Sequence, residues 1–391
     1  MVDIRLKLFE ILLRQKILGE GLKGKYLTPQ VVSYSVTRAC NLKCPHCHAD
    51  AQNAEPNELT LEEAKSAVDE MAVLESEVLI FSGGEPLLRK NFVLKLAEYC
   101  SDFGIITAML TNGTLIDSKT ALELKDAGML AVGIPIDFAT PKQHDEFRGV
   151  PGAFNKAVKA IKACLDADLK VVVTTMALRE NIYEIPKLIN LFDELGVDNV
   201  VLYDFLPIGR GRELASVGMS QEQWTEMLDY IRKIQEEMGI LFLVSGGEPL
   251  YPGLILELHK QWETSPPDKF LRPFLIHSRV GCHAAIHYFS LRSNGDVYPC
   301  PFMHISAGNI REHSLTEIWY NSKLFTTLRQ RSLLKGKCGS CAYRENCGGC
   351  RARAYIQTGD YMESDPNCPL ELLSKKRINL SSIECFGLCV G

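Results

Sequence analysis

Six short segments rich in β-branched residues alternate with longer segments of helical periodicity along residues 31–240. The predicted strands cover residues 31–36, 78–81, 105–110, 132–136, 171–176 and 200–205. Strands that are joined by helical crossovers pair in parallel, so the pattern predicts an α/β fold with a parallel sheet. Periodicity does not decide whether this sheet is open or curls into a barrel. In both cases ligands bind at the carboxyl ends of the strands.

The alternation ends near residue 240, where the composition of the chain changes. A stretch rich in Pro and Gly covers residues 246–273, and cysteines crowd residues 280–370. Cysteine-dense segments with few long helices are typical of small domains whose core is organised by metal. We therefore predict an N-terminal helix at 1–29, an α/β core at 30–240, a linker at 241–275, a cysteine-rich domain at 276–370 and a tail at 371–391.

The composition of the chain excludes several classes of protein. With 46% hydrophobic and 23% charged residues, the 391-residue chain has the make-up of a globular protein. Its net charge of -5 provides no basic surface for nucleic acid, and no apolar run is long enough to span a membrane. The N-terminal residues lack a signal-peptide core, which predicts a cytoplasmic protein. In that compartment its 14 cysteines are expected to bind metal rather than form disulfides.

The first cysteine motif, Cys40-x3-Cys44-x2-Cys47, directly follows the first predicted strand. Three thiolates cannot close a tetrahedral zinc site, but they can hold a 4Fe-4S cluster with one iron free for a second molecule. A zinc knuckle that borrows a distant histidine is the alternative. The second strand ends in Ser82-Gly83-Gly84-Glu85-Pro86, where two glycines allow the backbone to approach a ligand closely.

These two motifs, in this order, resemble those of the radical S-adenosylmethionine (radical SAM) enzymes. The resemblance implies a partial (β/α)6 TIM-type barrel in which the amino and carboxylate groups of SAM bind the free iron. It also implies that SAM is cleaved reductively to a 5'-deoxyadenosyl radical, which abstracts hydrogen from a substrate. The barrel would orient SAM and keep water away from the radical.

The resemblance also assigns roles to individual residues. Cys40, Cys44 and Cys47 are the expected cluster ligands and catalytic residues. The expected SAM-binding residues are His46, Gly83, Gly84, Glu85, Pro86, Thr111, Asn112 and Asp137. The chain departs from the family at two positions, because His46 replaces a large aromatic residue and Pro135 replaces a serine. His46 can still stack or form a hydrogen bond, whereas Pro135 offers no side-chain donor.

Two other features of the core are interpreted as structural. A second Ser-Gly-Gly-Glu-Pro-Leu at 245–250 repeats the sequence of 82–87, but no cysteine loop precedes it, so we interpret it as a turn. Cys100 and Cys164 lie on apolar faces of predicted helices and are expected to be core residues.

The second cysteine array resembles the SPASM extension of radical SAM proteins, which carries two auxiliary 4Fe-4S clusters. Its members are Cys282, Cys300, Cys338, Cys341, Cys347, Cys350 and Cys368. The usual CxxxC at the third pair is here CxxC. In isolation, 338–350 would also fit a zinc ribbon.

The interleaved ligands of the SPASM group imply how the array divides. Cys338, Cys341, Cys347 and Cys368 are assigned to a distal cluster, and Cys282, Cys300 and Cys350 to a proximal one. Seven thiolates leave the proximal cluster without a fourth cysteine from the array. His283, His287, a tail cysteine (Cys385 or Cys389) or an open iron are the alternatives.

The substrate is predicted from the auxiliary clusters and from local sequence. Such clusters suit reactions that remove an electron from the substrate. The runs 341–355 and 358–361, together with 144–154, look most like the radical SAM proteins of siroheme-derived heme biosynthesis, which remove propionate carboxyls or acetate groups from tetrapyrroles. A polycarboxylate needs guanidinium groups, and the arginines that follow strand ends are Arg148, Arg179, Arg210 and Arg212.

Two other functions compete with tetrapyrrole modification. The first is maturation of a peptide or protein, which is made less attractive by the 39 residues before Cys40, too few for a leader-binding domain. The second is a non-catalytic iron-sulfur electron carrier, which has no need of the Gly83–Pro86 motif. In the enzymatic interpretations we expect an electron donor such as ferredoxin or flavodoxin, and no nucleic-acid or membrane partner.

Overall fold

The computed structural model describes residues 28–368 except 221, 225, 228, 229, 231–240, 246–280 and 346, and it describes only the backbone of 241–245. The predicted N-terminal helix at 1–29 lies outside the described residues apart from its last two positions, which are not helical. The tail at 371–391, with Cys385 and Cys389, also lies outside them. No described helix is long and apolar enough to cross a lipid bilayer.

Strands and helices alternate along the first half of the described chain. The strands are β1 (Val31–Thr37), β2 (Val78–Gly83), β3 (Ile106–Leu110), β4 (Met129–Pro135), β5 (Lys170–Ala177), β6 (Asn199–Asp204), β7 (Leu241–Ser245), β8 (Tyr288–Leu291), β9 (Asp296–Tyr298) and β10 (Gly308–Asn309). The helices whose bounds are defined are α1 (Leu61–Val73), α2 (Lys90–Ser101), α3 (Ser118–Asp126), α4 (Pro141–Arg148), α5 (Ala153–Asp166), α6 (Ile185–Glu194), α7 (Leu315–Asn321), α8 (Lys323–Arg329), α9 (Gly336–Gly339) and α10 (Arg351–Thr358). Short 3-10 helices cover Pro86–Arg89, Ile182–Glu184, Gly209–Val217 and Arg331–Leu333.

All ten strands form one sheet, in the order β10-β9-β8-β1-β2-β3-β4-β5-β6-β7. The strands from β8 to β7 are parallel, while β9 and β10 continue the sheet as an antiparallel edge. The six predicted strands are confirmed, with ends that differ by one to three residues. The sequence analysis missed α4, because this short polar helix buries only His144 and has no apolar stripe.

Two strands lie where the sequence analysis placed none in the sheet. Residues 241–245 form β7, paired with β6, so the predicted linker is wrong for its first five residues. The predicted cysteine-rich domain contributes β8, which pairs in parallel with β1, so the barrel and this domain share one sheet. Both additions cover the edges of the six-strand sheet, whose N–H and C=O groups would otherwise be unpaired.

The sheet is strongly curled, as a contact between β6 and β8 shows. Tyr203 lies on β6 and Tyr288 on β8, with five strands between them in the sheet. In a flat sheet they would be roughly 29 Å apart. Burial is the main cause that raises the pKa of Tyr288, and the charge of Tyr203 adds to it, so the two phenols are neighbours across the concave side.

Helices cover the convex side of the sheet and bury its apolar core. The N-terminus of α1 shows how locally they are defined: the Thr60 side chain accepts a hydrogen bond from the Glu63 amide, and the Glu63 carboxylate accepts one from the Thr60 amide. The buried face of α1 consists of Ala64, Ala67, Val68 and Met71. Cys100 and Cys164 are fully buried in the same core, as predicted.

Candidate active site

The three cysteines of the first motif lie in the loop that follows β1, which we call the cysteine loop (residues 38–52). The Cys47 amide donates to the Cys44 carbonyl over 3.3 Å. The amides of Leu42 and Ala51 donate to the sulfurs of Cys40 and Cys47, each over 3.5 Å. Burial is the main cause that raises the pKa of Cys40 to about 11. Metal binding would therefore displace protons, and the amides would stabilise the thiolate charge.

Glu58 fixes the start of the cysteine loop. Its Oε1 accepts hydrogen bonds from Thr37 Oγ1 and from the Arg38 amide, both over 2.8 Å. It also accepts one from the Glu55 amide over 3.1 Å. One carboxylate thus satisfies three donors where the chain leaves β1. The motif search missed Glu58, because it acts on the backbone of the loop and lies eleven residues beyond the last motif cysteine.

The glycines of the second motif pack against the cysteine loop. The amides of Gly84 and Glu85 donate to the carbonyls of Thr37 and Ala39, both over 2.8 Å. A Cβ atom on Gly84 would lie 2.0 Å from the Ala39 oxygen, so only glycine fits there. Because these amides are occupied, a ligand's amino group could be bound at this turn only through carbonyl oxygens, which suits a donor such as an ammonium group. Pro86 then begins a 3-10 helix.

The Glu85 side chain joins the ends of β2 and β3. Its carboxylate accepts from Thr111 Oγ1 over 2.7 Å, from the Asn112 amide over 2.8 Å and from the Leu87 amide over 3.0 Å. Burial raises the pKa of Glu85 despite these bonds. Asn112 Nδ2 reaches into the cysteine loop, 4.0 Å from Cys40 Sγ. The structure therefore brings the predicted residues of β2 and β3 to the first cysteine motif.

Asp137 is occupied by partners other than those the resemblance implies. Its Oδ2 accepts from Arg148 Nε over 2.7 Å and Nη2 over 2.6 Å, and its Oδ1 accepts from the Met176 amide over 2.9 Å. Arg148 in turn lies against the cysteine loop, where its carbonyl accepts from Cys44 Sγ over 3.5 Å. Asp137 thus holds Arg148 beside the cluster ligands. A direct contact between this carboxylate and SAM stays a prediction.

His46 stacks on Phe147 within the protein. The ring centroids lie 3.9 Å apart and the planes differ by 3°. Burial lowers the pKa of His46 to about 3, so the ring is neutral at physiological pH. Its buried Nδ1 has no hydrogen-bond partner. The stack holds the ring in place, and a contact with the adenine of SAM stays a prediction.

The second cysteine array falls into two groups. Cys282 acts on Cys300 and Cys350, because its charge contributes to the raised pKa of both. Cys338 and Cys368 likewise contribute to the raised pKa of Cys347. In each case burial is the larger cause.

Backbone bonds define the two groups further. The Cys282 amide donates to the Cys347 carbonyl over 3.0 Å, so the groups adjoin, and Cys341 follows Cys338 in one turn. These neighbourhoods support the proposed proximal and distal ligand sets, which remain proposals. His283 and His287 lie with their rings 6.2 Å apart beside Cys282.

Buried ion pairs organise the array. The Arg353 guanidinium pairs with Asp365 over 3.0 Å and with Asp204, the last residue of β6. Asp365 also accepts from the Cys350 amide over 2.7 Å, and its own amide donates to Cys338 Sγ over 3.4 Å. One network therefore contacts a cysteine from each group and ties both to the barrel.

Arg331 provides a test of whether a cluster fits at the array. Its Nη2 donates to the Cys282 carbonyl over 2.7 Å, but its buried Nε and Nη1 have no hydrogen-bond partner. The guanidinium lies so close to Gly348 that a Cβ atom there would come within 1.4 Å of Nη1. Buried guanidinium groups normally find acceptors. The sulfides of an iron-sulfur cluster would supply them, so these residues fit the group that the array implies.

The spread of the thiols also suits a cluster of several irons. All twelve cysteines in the described part of the chain are free thiols. Among the described residues, no three His, Cys, Asp or Glu side chains converge as they would around one metal ion. In a 4Fe-4S cluster each thiolate binds a different iron, which places the ligands further apart. This geometry favours clusters over the zinc knuckle and the zinc ribbon.

The four arginines predicted to bind a polycarboxylate have different surroundings. Arg148 is bound to Asp137, and Arg210 donates to the carbonyls of Cys44 and Ala51 over 3.0 and 2.7 Å. Both therefore build the cysteine loop rather than face a ligand. Arg179 and Arg212 are exposed.

Comparisons with known proteins agree with this geometry. A model of the radical SAM superfamily matches residues 34–192, and a model of the SPASM iron-sulfur cluster-binding domain matches 282–351. An AdoMet-dependent heme synthase of Methanosarcina barkeri is 35% identical over 87% of this chain and 96% of its own length. An Fe-coproporphyrin III synthase of the same organism is 33% identical over 87% and 88%. A PqqA peptide cyclase of Bradyrhizobium diazoefficiens is 29% identical over 92% and 91%.

Solved structures share the fold at lower identity. Streptococcus suis SuiB bound to its precursor peptide SuiA superposes with a TM-score of 0.70, at 19% identity, over 92% of this chain and 81% of SuiB. Its likeness extends through both the barrel and the cysteine array. The chain uses 4Fe-4S clusters and S-adenosylmethionine, and it belongs to the radical SAM superfamily, among the enzymes that carry a C-terminal SPASM domain.

Proposed function

We propose that this radical SAM/SPASM enzyme oxidatively decarboxylates a propionate side chain of a tetrapyrrole. The observation that carries the proposal is the 35% identity, over nearly the whole relative, to a protein named for heme synthesis. A second relative is named for an iron coproporphyrin. Removal of an acetate group remains within the same substrate class and is separated from decarboxylation of propionate by the mass of the product.

The proposed reaction balances when one electron leaves the substrate. Abstraction of a hydrogen atom from the side-chain carbon next to the ring leaves a carbon radical. Cleavage of the bond to the carboxylate then releases carbon dioxide and one electron, and a vinyl group remains. When bound, the first cluster with SAM supplies the radical that abstracts hydrogen, and the auxiliary clusters accept the released electron.

This chain's own residues bind and orient the reactants. Cys40, Cys44 and Cys47 hold the first cluster, and the Gly83-Gly84 turn presents carbonyls to the amino group of SAM. Burial of the cysteine loop under Arg148 and Arg210 keeps water from the reacting atoms. The distal and proximal cysteines hold the two auxiliary clusters beside the open end of the barrel.

A peptide substrate is the second candidate, because a peptide cyclase and a peptide-bound SuiB are among the similar proteins. The first is less identical to this chain than the two tetrapyrrole enzymes are. The likeness to SuiB, at 19% identity, shows the fold alone. We also propose a cytoplasmic enzyme that receives electrons from a ferredoxin or flavodoxin.

Product analysis tests the proposed function. The anaerobically reconstituted protein is incubated with SAM, a reductant and either an iron coproporphyrin, its metal-free form, a siroheme derivative or an acidic peptide. We expect one tetrapyrrole to lose carbon dioxide and two hydrogens per side chain, with matching formation of 5'-deoxyadenosine. Loss of carbon dioxide alone would identify acetate decarboxylation instead. Conversion of the peptide without any change in the tetrapyrroles would contradict the proposal.

A further inference from the structure

Arg292 lies at the mouth of the barrel, one residue beyond β8. Alternation along the strand places it on the same face as Tyr288 and Ser290. That face is the concave one, because Tyr288 neighbours Tyr203 across the sheet and Ser290 Oγ bonds Ser33 Oγ over 2.9 Å. Since β8 is parallel to β1, Arg292 lies at the edge of the sheet where the cysteine loop begins.

The Arg292 guanidinium has no counter-charge in the described part of the chain. Its Nη1 is buried and has no hydrogen-bond partner. The carboxylates whose charges reach it, Glu55 and Asp296, are committed to other groups. Glu55 accepts from Ser293 Oγ over 2.6 Å, and Asp296 accepts from Asn309 Nδ2 over 3.0 Å. A buried guanidinium without acceptors is costly unless a ligand supplies them.

The surroundings of Arg292 hold the side chain in place and favour an anion. The Tyr298 ring lies under the guanidinium, with its centroid 5.3 Å from Cζ. Burial is the main cause that lowers the pKa of His48 to about 3, and the charge of Arg292 adds to it. Arg38 and Arg212 contribute further positive charge near His304, next to the same opening.

Arg292 also lies between the two cofactor sites. His48 belongs to the cysteine loop, and its ring packs 4.9 Å from that of Phe302, two residues beyond Cys300. The charge of Arg292 reaches both His48 and His304, on either side of this contact. A group bound to Arg292 would therefore be close to the first cluster and to the proximal cysteines.

We propose that Arg292 binds a carboxylate of the tetrapyrrole substrate and so sets which side chain faces the radical. The proposal rests on the proposed function and names the side chain that recognises its substrate. A guanidinium can bind a carboxylate through two parallel hydrogen bonds, which fixes orientation as well as position. The strand-end arginines selected from sequence did not include Arg292, because β8 was not predicted to join the barrel.

Matched ligands and matched variants test this proposal. An iron coproporphyrin and its tetramethyl ester share one ring, but only the acid carries carboxylates. Optical titration of the cluster-loaded protein gives the Kd of each ligand for the wild type, Arg292→Gln, Arg292→Lys and Arg311→Gln. Arg311 is the control, because it is an arginine of the same region that already pairs with Glu63 over 2.6 Å.

We expect Arg292→Gln to weaken binding of the acid about 10- to 100-fold, the effect of losing a hydrogen-bonded charge. Binding of the ester should not change, and Arg292→Lys should restore part of the affinity. Arg311→Gln should bind both ligands as the wild type does.

Two results would overturn the proposal. In the first, the wild type binds and converts the acid while Arg292→Gln binds it as tightly as Arg311→Gln does. In the second, both Arg292 variants lose iron and unfold, which would make the side chain structural. Failure of the proposed function looks different, because the wild type itself would then neither bind nor convert the acid.

Discussion

The cysteine loop and the cysteine array hold their thiols by different means. The three thiols of the loop lie within eight residues and are fixed by short-range backbone bonds, such as that from the Cys47 amide to the Cys44 carbonyl. The seven thiols of the array are spread over residues 282–368 and depend on a buried ion-pair network centred on Arg353. A compact motif can therefore form its site locally, whereas a dispersed set of ligands needs tertiary structure to bring them together.

The two regions are nevertheless connected. The array contributes β8 to the sheet beside β1, and Phe302 packs on His48 of the cysteine loop. Arg353 adds a third connection, because its partner Asp204 ends β6. Separate cluster sites on one continuous sheet predict that each can be emptied by itself, but that loss of the buried connection weakens the whole.

The largest effect is expected when the loop is emptied. Replacing Cys40, Cys44 and Cys47 by Ala should abolish formation of 5'-deoxyadenosine while iron remains at the array. Iron and sulfide analysis, together with the 5'-deoxyadenosine assay, measures both. Cys164→Ala is the matched control, because this cysteine is buried in the core away from both sites. A folded triple variant without any iron would show that the array is not an independent cluster site.

Emptying the distal part of the array should have a narrower effect. In a variant with Cys338 and Cys341 replaced by Ala, SAM cleavage should continue, because it requires only the electron at the first cluster. The modified substrate should disappear, because no acceptor remains for the electron it releases. Both products are measured in one anaerobic reaction by mass spectrometry. A normal yield of modified substrate would contradict the electron-transfer role of the array.

The difference between the two regions also explains what could be predicted from sequence. The strands, the cysteine loop and the turn at Gly84 follow from local patterns, and the structure confirms those elements. The partners of Asp204 and Ser33 lie 149 and 257 residues away, and no local pattern records such pairs. For the same reason β8 was assigned to a separate domain.

Within the barrel, the resemblance located residues better than it explained them. Asp137 was expected to contact SAM, but its carboxylate binds Arg148. Gly84 was expected to admit a ligand, but it first admits the Ala39 carbonyl. The motifs mark where the site is, while the hydrogen bonds of each side chain show which part of it that side chain builds.

A third prediction compares two ion pairs that join the array to the barrel. Arg353→Met leaves the buried carboxylates of Asp204 and Asp365 without their cation, which should cost about 3–5 kcal/mol of stability. Arg311→Met removes an exposed pair with Glu63 and should cost less than about 1 kcal/mol. Urea unfolding of the cluster-loaded variants measures the difference. Equal midpoints would show that the buried network does not hold the two regions together.

The smallest expected effect concerns the support of the cysteine loop and depends on pH. Buried His144 accepts a hydrogen bond from the Asp137 amide at Nδ1, over 3.2 Å. Burial lowers the pKa of His144 to about 4, while Arg148 lowers it further and Asp137 and Asp145 oppose the shift. The folded protein therefore keeps this ring neutral at a pH where the unfolded chain, with a pKa of about 6.5, binds a proton.

The unfolding free energy should consequently fall as the pH decreases from about 7.5 to about 5.5, by about 1 kcal/mol from this histidine alone. His144→Asn keeps an acceptor near the Nδ1 position and removes the titration, so its stability should fall less over the same range. The exposed His313 provides the control, since His313→Asn should leave the pH dependence of the wild type unchanged. Urea unfolding at the two pH values measures all three proteins. If wild type and His144→Asn lose the same stability on acidification, His144 is not the neutral support that holds Asp137 and, through it, Arg148 against the cysteine loop.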